Sequence, residues 1–200
     1  MAKDRSLNLS RQFRAALDAL AAIATLGRPA CVIGGLAVQR WGEPRFTQDA
    51  DLTVFTPFGG ETDVIDPLLA RFEKRRPDAR QHALTYRVLL LRAANGISLD
   101  ISLAGTPFEE DVLARATTWR TIEGTDLITC SAEDLILYKL VAGRPGDIQD
   151  VIGVVRRQHA RLDVGRVREF GALFAELKED PSLLQPFEDA LRRASGSRPT

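Results

Sequence analysis

The segment VIGGLAVQRWGEPRFTQDADLTVF, residues 32–55, carries the two features that decide the fold of this chain. Gly34 and Gly35 follow a short apolar run rich in β-branched residues, and the residues after them return to helical spacing. Asp49 and Asp51 then open an alternating run that is typical of a half-buried strand. The segment is therefore predicted to form a strand, a glycine turn, a helix and a second strand.

The composition indicates a folded globular protein without an overall electrostatic field. Of the 200 residues, 44% are hydrophobic, which is enough for an ordinary core. Lys plus Arg and Asp plus Glu both number 27, so any site for a polyanion must be local. The chain starts without the apolar run of a signal peptide, and no stretch approaches the roughly 20 apolar residues of a membrane span. We therefore expect a cytoplasmic protein with no membrane partner.

Periodicity predicts an α+β (α/β) fold, with a core domain at residues 1–130 and a helical C-terminal region packed on it at residues 131–195. Residues 196–200 are predicted to be a disordered tail. Asn95-Gly96 is a strong hairpin signal between two predicted strands. The predicted elements of the core domain are a helix capped by Ser10, a strand at 30–33, a helix at 36–41, a strand at 51–55, a helix at 66–76, strands at 85–93 and 97–104, a helix at 108–115 and two short strands that turn at Glu123-Gly124. In the C-terminal region, helices are predicted at 131–142, 147–158, 164–178 and 183–193.

A third acid is predicted to share a face with the first two. Asp49 and Asp51 are two residues apart on an extended segment, so both carboxylates project from the same side. In ISLDIS, residues 97–102, the apolar side chains take one face and leave Asp100 on the other. If the two strands are neighbours, three carboxylates converge and offer the hard oxygen ligands that Mg²⁺ prefers. Such a site suits two-metal phosphoryl transfer, and a glycine turn before a helix suits phosphate binding.

These motifs resemble the nucleotidyltransferase superfamily of the DNA polymerase β type. Its signature is a glycine pair or Gly-Ser, a helix, two acids spaced as DxD at a strand start, and a later acid on a further strand. The resemblance implies the nucleotidyltransferase fold, in which helices flank a mixed sheet and an all-helical part follows. The matching residues are Gly34, Gly35, Asp49, Asp51 and Asp100.

Two stretches look more narrowly like the AbiEii type of nucleotidyltransferase, a group that includes toxins of toxin–antitoxin pairs. They are RFTQDADL, residues 45–52, and SAEDLILYKLVAGRPGDIQDV, residues 131–151. This resemblance implies a cognate antitoxin as a candidate partner. Where many superfamily members have Gly-Ser, this chain has Gly34-Gly35, so a hydroxyl that would contact the triphosphate is missing.

The resemblance implies a role for each matching residue. Asp49 and Asp51 would bind Mg²⁺, and Asp100 would bind the catalytic ion and help to deprotonate the acceptor hydroxyl. Gly34 and Gly35 would lie against the nucleotide phosphates. The phosphates would also be held by Lys139, which interrupts an apolar run where a lysine loses solvation unless an anion is near.

Further residues are expected to support the site. Asp147 and Asp150 match the acids of the family pattern RxxDxxD and, three residues apart, share one helix face. They could orient a neighbouring cation, Lys139 or Arg144. The supporting residues implied by the resemblance are Arg45, Thr47, Arg144, Asp147 and Asp150.

The function implied by the resemblance is Mg²⁺-dependent transfer of a nucleoside monophosphate from a nucleoside triphosphate to a hydroxyl. Two Mg²⁺ ions are expected, and the acceptor is left open between RNA, including tRNA, and protein. The missing hydroxyl at position 35 motivates an alternative function, that of a catalytically weak nucleotide-binding or regulatory module of the same fold. A two-metal nuclease would use similar acids without a triphosphate.

A cluster of basic residues lies near the end of the helix predicted at 66–76. These residues are expected to be solvated, and contact with RNA is the alternative. The cluster comprises Arg71, Lys74, Arg75, Arg76 and Arg80.

Overall fold

This computed structural model describes residues 10–121 and 124–196 of the chain. Two predictions fall partly outside those ranges. Glu123, one half of the predicted turn, is not among the described residues, and of the predicted tail only Gly196 is described. Gly196 is the last residue of a helix.

The described residues divide into two compact units. One unit holds residues 10–36, 47–121 and 124–129, and the other holds residues 37–46 and 130–196. The second unit therefore includes segment 37–46, which sequence periodicity assigns to the core domain. The helices are α1 Arg11–Ala24, α2 Gly34–Trp41, α3 Thr62–Arg71, α4 Ala79–Tyr86, α5 Pro107–Ala114, α6 Ala132–Ala142, α7 Pro145–Gln158, α8 Val164–Leu177 and α9 Gln185–Gly196. The strands are β1 Ala30–Val32, β2 Asp49–Phe55, β3 Glu73–Lys74, β4 Val88–Arg92, β5 Ser98–Ala104, β6 Thr117–Arg120 and β7 Asp126–Thr129.

In the described part of the first unit, the strands form one mixed sheet in the order β3-β4-β5-β2-β1-β7-β6. β2 is antiparallel to β1 on one side and parallel to β5 on the other. β4 and β5 form the antiparallel hairpin that Asn95-Gly96 predicts. The predicted fold class, a mixed sheet flanked by helices, is confirmed.

The core of the first unit explains why β2 keeps one polar face. Alternation along β2 buries Leu52 and Val54, which belong to the same buried cluster as Phe13 of α1. α1 begins where the Ser10 side chain accepts a hydrogen bond from the Phe13 N–H, as the capping signal predicts. The apolar side of β2 is therefore covered, and its acidic residues project from the opposite side.

The helix predicted at 66–76 is wrong in position. α3 spans Thr62–Arg71 and contains Pro67 in its interior. The helix starts earlier because Val64 and Leu68, four residues apart, are buried on its inner face, and packing outweighs the cost of an internal proline. After α3 the chain enters β3, which pairs with β4.

The strand predicted at 85–93 also starts too early, because a helix precedes it. α4, Ala79–Tyr86, buries only the small side chains of Ala79 and Ala83, which leave a weak apolar signal in the sequence. The helix ends at Tyr86 and is followed by Arg87, whose φ of 55° is left-handed, and β4 begins at Val88.

From residue 130 onward, the regular elements of the second unit are all helical in its described residues. Ser131 caps α6 by accepting a hydrogen bond from the Asp134 N–H, which matches the predicted start of that helix. Along the described chain, no helix combines the length and the apolar character that a membrane crossing requires.

Candidate active site

Strand pairing places the three predicted acids on neighbouring strands. β2 and β5 run parallel, and Asp51 lies directly opposite Asp100 in their register. Asp49 lies two residues before Asp51 and therefore on the same face of β2. The three carboxylates thus share one face of the sheet, as the alternation of each strand predicts.

Electrostatics also indicate that the acids are close together. Burial raises the pKa of the Asp100 carboxyl above its ordinary value, the Arg75 guanidinium opposes this, and the Asp49 anion raises the pKa further. Asp49 is therefore near enough to repel the negative charge on Asp100. A cation bound between these groups would relieve that repulsion.

The donor chemistry fits Mg²⁺, because the three side chains offer only hard oxygen ligands. In the described residues, however, no three His, Cys, Asp or Glu side chains form a group that could hold a metal ion as they stand. One oxygen of Asp100 is instead bonded to Arg75 Nη2 at 2.5 Å. Asp49, Asp51 and Asp100 are thus the residues that would hold a metal, after a local rearrangement at Asp100.

The start of α2 is built around Asp51. Gly34 has a φ of +60°, and a Cβ atom at Gly34 would lie 2.0 Å from Asp51 Oδ2, so no other residue fits this position. The Gly35 N–H donates a hydrogen bond to the same oxygen at 3.4 Å. Both glycines belong to the first turn of α2 and do not form a separate turn before it. The helix N-terminus thus supports a carboxylate of the chain itself.

The absence of a side chain at Gly35 has a local cause. A Cβ atom at Gly35 would lie 2.5 Å from Thr47 Oγ1 and 2.8 Å from Thr47 Cβ. The buried Thr47 hydroxyl donates to Asp49 Oδ1 at 3.1 Å, and Gln12 Nε2 donates to the Thr47 carbonyl at 3.0 Å. Thr47 therefore takes the space that a serine at position 35 would need, and it orients a predicted metal ligand.

Replacing Gly35 by serine is expected to lower the free energy of unfolding by about 1–3 kcal/mol, because the new side chain overlaps Thr47. Urea denaturation measures this loss. The same change at Gly146, where a Cβ would meet no atom within 4 Å, is the matched control. In a Thr47→Gly background the cost of Gly35→Ser should shrink, and an equal cost in both backgrounds would show that Thr47 is not the obstacle.

Lys139 lies in a buried ion network of the second unit. Its Nζ atom is 2.7 Å from Asp147 Oδ1 and 2.9 Å from Asp150 Oδ2, and the three side chains are 8%, 4% and 3% exposed. Arg144 Nε donates to Asp147 at 2.6 Å, and Arg45 donates to both oxygens of Asp150 at 2.7 and 2.8 Å. The anion that the apolar setting of Lys139 demands is therefore supplied by two carboxylates of the chain.

The network keeps both of its acids ionised. Burial alone would raise the pKa of Asp147, but hydrogen bonds from Arg144 and Lys139 lower it below its ordinary value. The pKa of Asp150 is lowered against burial in the same way, by hydrogen bonds from Arg45 and Lys139. The predicted supporting residues Arg45, Arg144, Asp147 and Asp150 are thus in contact with one another or with Lys139, while the binding of phosphate by Lys139 stays a prediction.

Arg75 is the residue of this site that sequence patterns missed. It belongs to the basic group expected at a solvated helix end, but α3 ends at Arg71 and Arg75 lies beside the sheet. The Arg75 N–H donates to the Leu90 carbonyl at 3.1 Å, and Leu90 is the register partner of Asp100. Had β3 been predicted, alternation would have placed Arg75 on the acidic face.

Comparisons with known proteins show the fold. No protein-family model and no curated protein matches the sequence. The solution structure of the antibiotic-resistance factor ANT(2'')-Ia is similar, with 18% identity, a TM-score of 0.51, and coverage of 84% of this chain and 95% of that one. The crystal structure of an antigenic nucleotidyltransferase-like protein from Paracoccidioides brasiliensis is similar at 16% identity and a TM-score of 0.49, and covers 88% of this chain and 91% of that one. The likeness to ANT(2'')-Ia, at 18% identity, shows the fold of this chain alone, and that fold agrees with the predicted nucleotidyltransferase fold.

Proposed function

We propose that this chain, which has the fold of nucleotidyltransferases, transfers a nucleoside monophosphate from a nucleoside triphosphate to a hydroxyl and releases pyrophosphate. The observation that carries the proposal is the register of β2 and β5, which sets Asp51 opposite Asp100 with Asp49 on the same face. Three carboxylates on one face of the sheet supply the hard oxygen ligands that two-metal phosphoryl transfer needs.

In the proposed reaction, Asp49, Asp51 and Asp100 would hold Mg²⁺, and the metal would neutralise the triphosphate and activate the acceptor oxygen. The Gly35 N–H and the Thr47 hydroxyl orient Asp51 and Asp49 respectively. Asp100 would also accept the proton of the acceptor hydroxyl. The acceptor oxygen bonds to the α-phosphorus, and the bond from that phosphorus to the bridging oxygen breaks to release pyrophosphate.

The acceptor and the biological role are proposed from the sequence resemblance to the AbiEii type. We propose RNA, including tRNA, or a protein as the acceptor, and a toxin role with a cognate antitoxin as partner. Lys139 is proposed to contact nucleotide phosphates, which would require its ammonium group to exchange at least one of its carboxylate partners.

One observation favours the alternative of a nucleotide-binding or regulatory module with little turnover. Asp100, the proposed base, is already paired with Arg75, and within the described ranges no three acidic, histidine or cysteine side chains are arranged for a metal. Such a module would bind nucleotide without releasing pyrophosphate.

Removal of divalent metal is expected to abolish transfer. The full chain is incubated with each of four α-labelled nucleoside triphosphates and a cell extract, with Mg²⁺ or with EDTA. We expect covalent label on a macromolecule, together with pyrophosphate, only when Mg²⁺ is present. Sensitivity of the labelled product to ribonuclease or to protease identifies the acceptor. Nucleotide binding without pyrophosphate release under every condition would instead support the regulatory module.

A further inference from the structure

The ion pair between Arg75 and Asp100 occupies the proposed metal site. Arg75 Nη2 is 2.5 Å from Asp100 Oδ1, and the two side chains are 21% and 32% exposed. A guanidinium at this distance supplies the positive charge that a metal ion would otherwise supply to the same carboxylate. The acidic face of the sheet is therefore partly neutralised by the chain itself.

The backbone holds Arg75 in this position. Arg75 extends the line of β3, whose residues pair with β4, and its N–H bonds to the carbonyl of Leu90. Leu90 in turn faces Asp100 across the β4–β5 register, so the three residues lie in one row across the sheet. The long side chain of Arg75 reaches over β4 to the acid.

The Arg75 guanidinium forms fewer hydrogen bonds than its donors allow. Its Nε atom is buried and has no hydrogen-bond partner among the described residues, and its bond to Asp100 reaches only one of the two carboxylate oxygens. A bidentate pair would be harder to open. Arg75 therefore has donor capacity left for another anion when it leaves Asp100.

We propose that Arg75 is an internal cation that competes with divalent metal for Asp100, so that metal binds well only together with the negative charge of a triphosphate. The inference rests on the proposed function and adds to it that metal binds well only when the triphosphate binds with it. A divalent cation and a guanidinium that share one carboxylate repel each other, which weakens the binding of metal alone. The phosphate oxygens of the nucleotide offset that repulsion and offer acceptors to the displaced guanidinium.

Binding of Mn²⁺ alone, followed by the electron paramagnetic resonance signal of the free ion, tests the competition without any turnover. Arg75→Gln is expected to bind Mn²⁺ at least about tenfold more tightly than the unmodified chain, because the competing positive charge is gone. Arg75→Lys keeps the charge on a shorter side chain and should show a smaller increase. It also carries the test if Arg75→Gln fails to fold. Arg76→Gln, which removes an exposed partner of Asp78, is the matched control and should leave Mn²⁺ affinity unchanged.

Unchanged or weaker Mn²⁺ binding in both Arg75 variants would overturn the competition. Failure of the proposed function can be distinguished from failure of the competition, because the proposed function requires metal to bind at the three acids. Adding Asp51→Ala should abolish the tighter Mn²⁺ binding of the Arg75 variants and weaken any Mn²⁺ binding of the unmodified chain. If Mn²⁺ binding survives Asp51→Ala in every background, the acids are not the metal site and the proposed function loses its foundation.

Discussion

Replacing Asp51 by asparagine is expected to lower the rate of nucleotidyl transfer by about a thousandfold or more, which corresponds to about 4 kcal/mol of transition-state stabilisation. Asparagine keeps the volume of the side chain and an oxygen that can accept from the Gly35 N–H, so the start of α2 should persist. What it loses is the negative charge that binds a divalent cation. The initial rate of label transfer at saturating nucleotide measures the effect, and thermal unfolding of both proteins shows that the fold is kept.

The matched control for this substitution is Asp66→Asn. Asp66 is also ion-paired, to Arg80, but its side chain is 50% exposed and lies in α3. The Asp66→Asn variant should transfer label at the rate of the unmodified chain, since exposed ion pairs contribute little to stability. Transfer by Asp51→Asn within about tenfold of the unmodified chain would contradict the two-metal mechanism.

Replacing Lys139 by methionine is expected to lower the free energy of unfolding by about 3 kcal/mol. Methionine fills most of the volume but leaves two almost fully buried carboxylates, those of Asp147 and Asp150, without the ammonium that they share. Each acid retains an arginine, so the loss should lie at the lower end of the range for broken buried pairs. Equilibrium urea denaturation of the full chain is the measurement.

Two further variants separate a structural role of Lys139 from a role in nucleotide binding. Lys178→Met removes an exposed lysine of the same unit and should change stability by no more than about 0.5 kcal/mol. Adding Asp150→Asn to Lys139→Met removes one of the two anions that have lost the ammonium group and should restore part of the loss. If Lys139→Met unfolds like the unmodified chain and only the KM for nucleotide rises, Lys139 serves the phosphates and the network contributes little.

Much of the site could be predicted because it depends on local alternation. The period of two along each strand decides that Asp49 and Asp51 share one face of β2. It also decides that Asp100 lies on one face of β5 while Leu99 and Ile101 lie on the other. The same reasoning failed between residues 62 and 88, where a proline inside α3 and a helix with only alanines on its buried face hid the true boundaries. Arg75 was misplaced for that reason, since its face depends on a two-residue strand that leaves almost no pattern.

Lys139 shows the limit of a correct local argument. Its apolar neighbours required a nearby anion, and this requirement holds in the structure. Whether that anion is a phosphate or a carboxylate cannot be decided from the segment around Lys139, because Asp147 and Asp150 reach it from the next helix. Nucleotide contact by Lys139 therefore stays a prediction, while its contact with the two acids is observed.

By itself the sequence determined the strand faces, the helix caps at Ser10 and Ser131, and the hairpin at Asn95-Gly96, because each depends on residues within a few positions of one another. The tertiary structure alone decided that β2 and β5 are neighbours, that Thr47 fills the space beside Gly35, and that Arg75 reaches Asp100. These contacts join residues 12 to 49 positions apart, as between Gly35 and Thr47 or between Asp51 and Asp100. Their geometry follows from how the strands and helices pack around the core, which no short stretch of sequence contains.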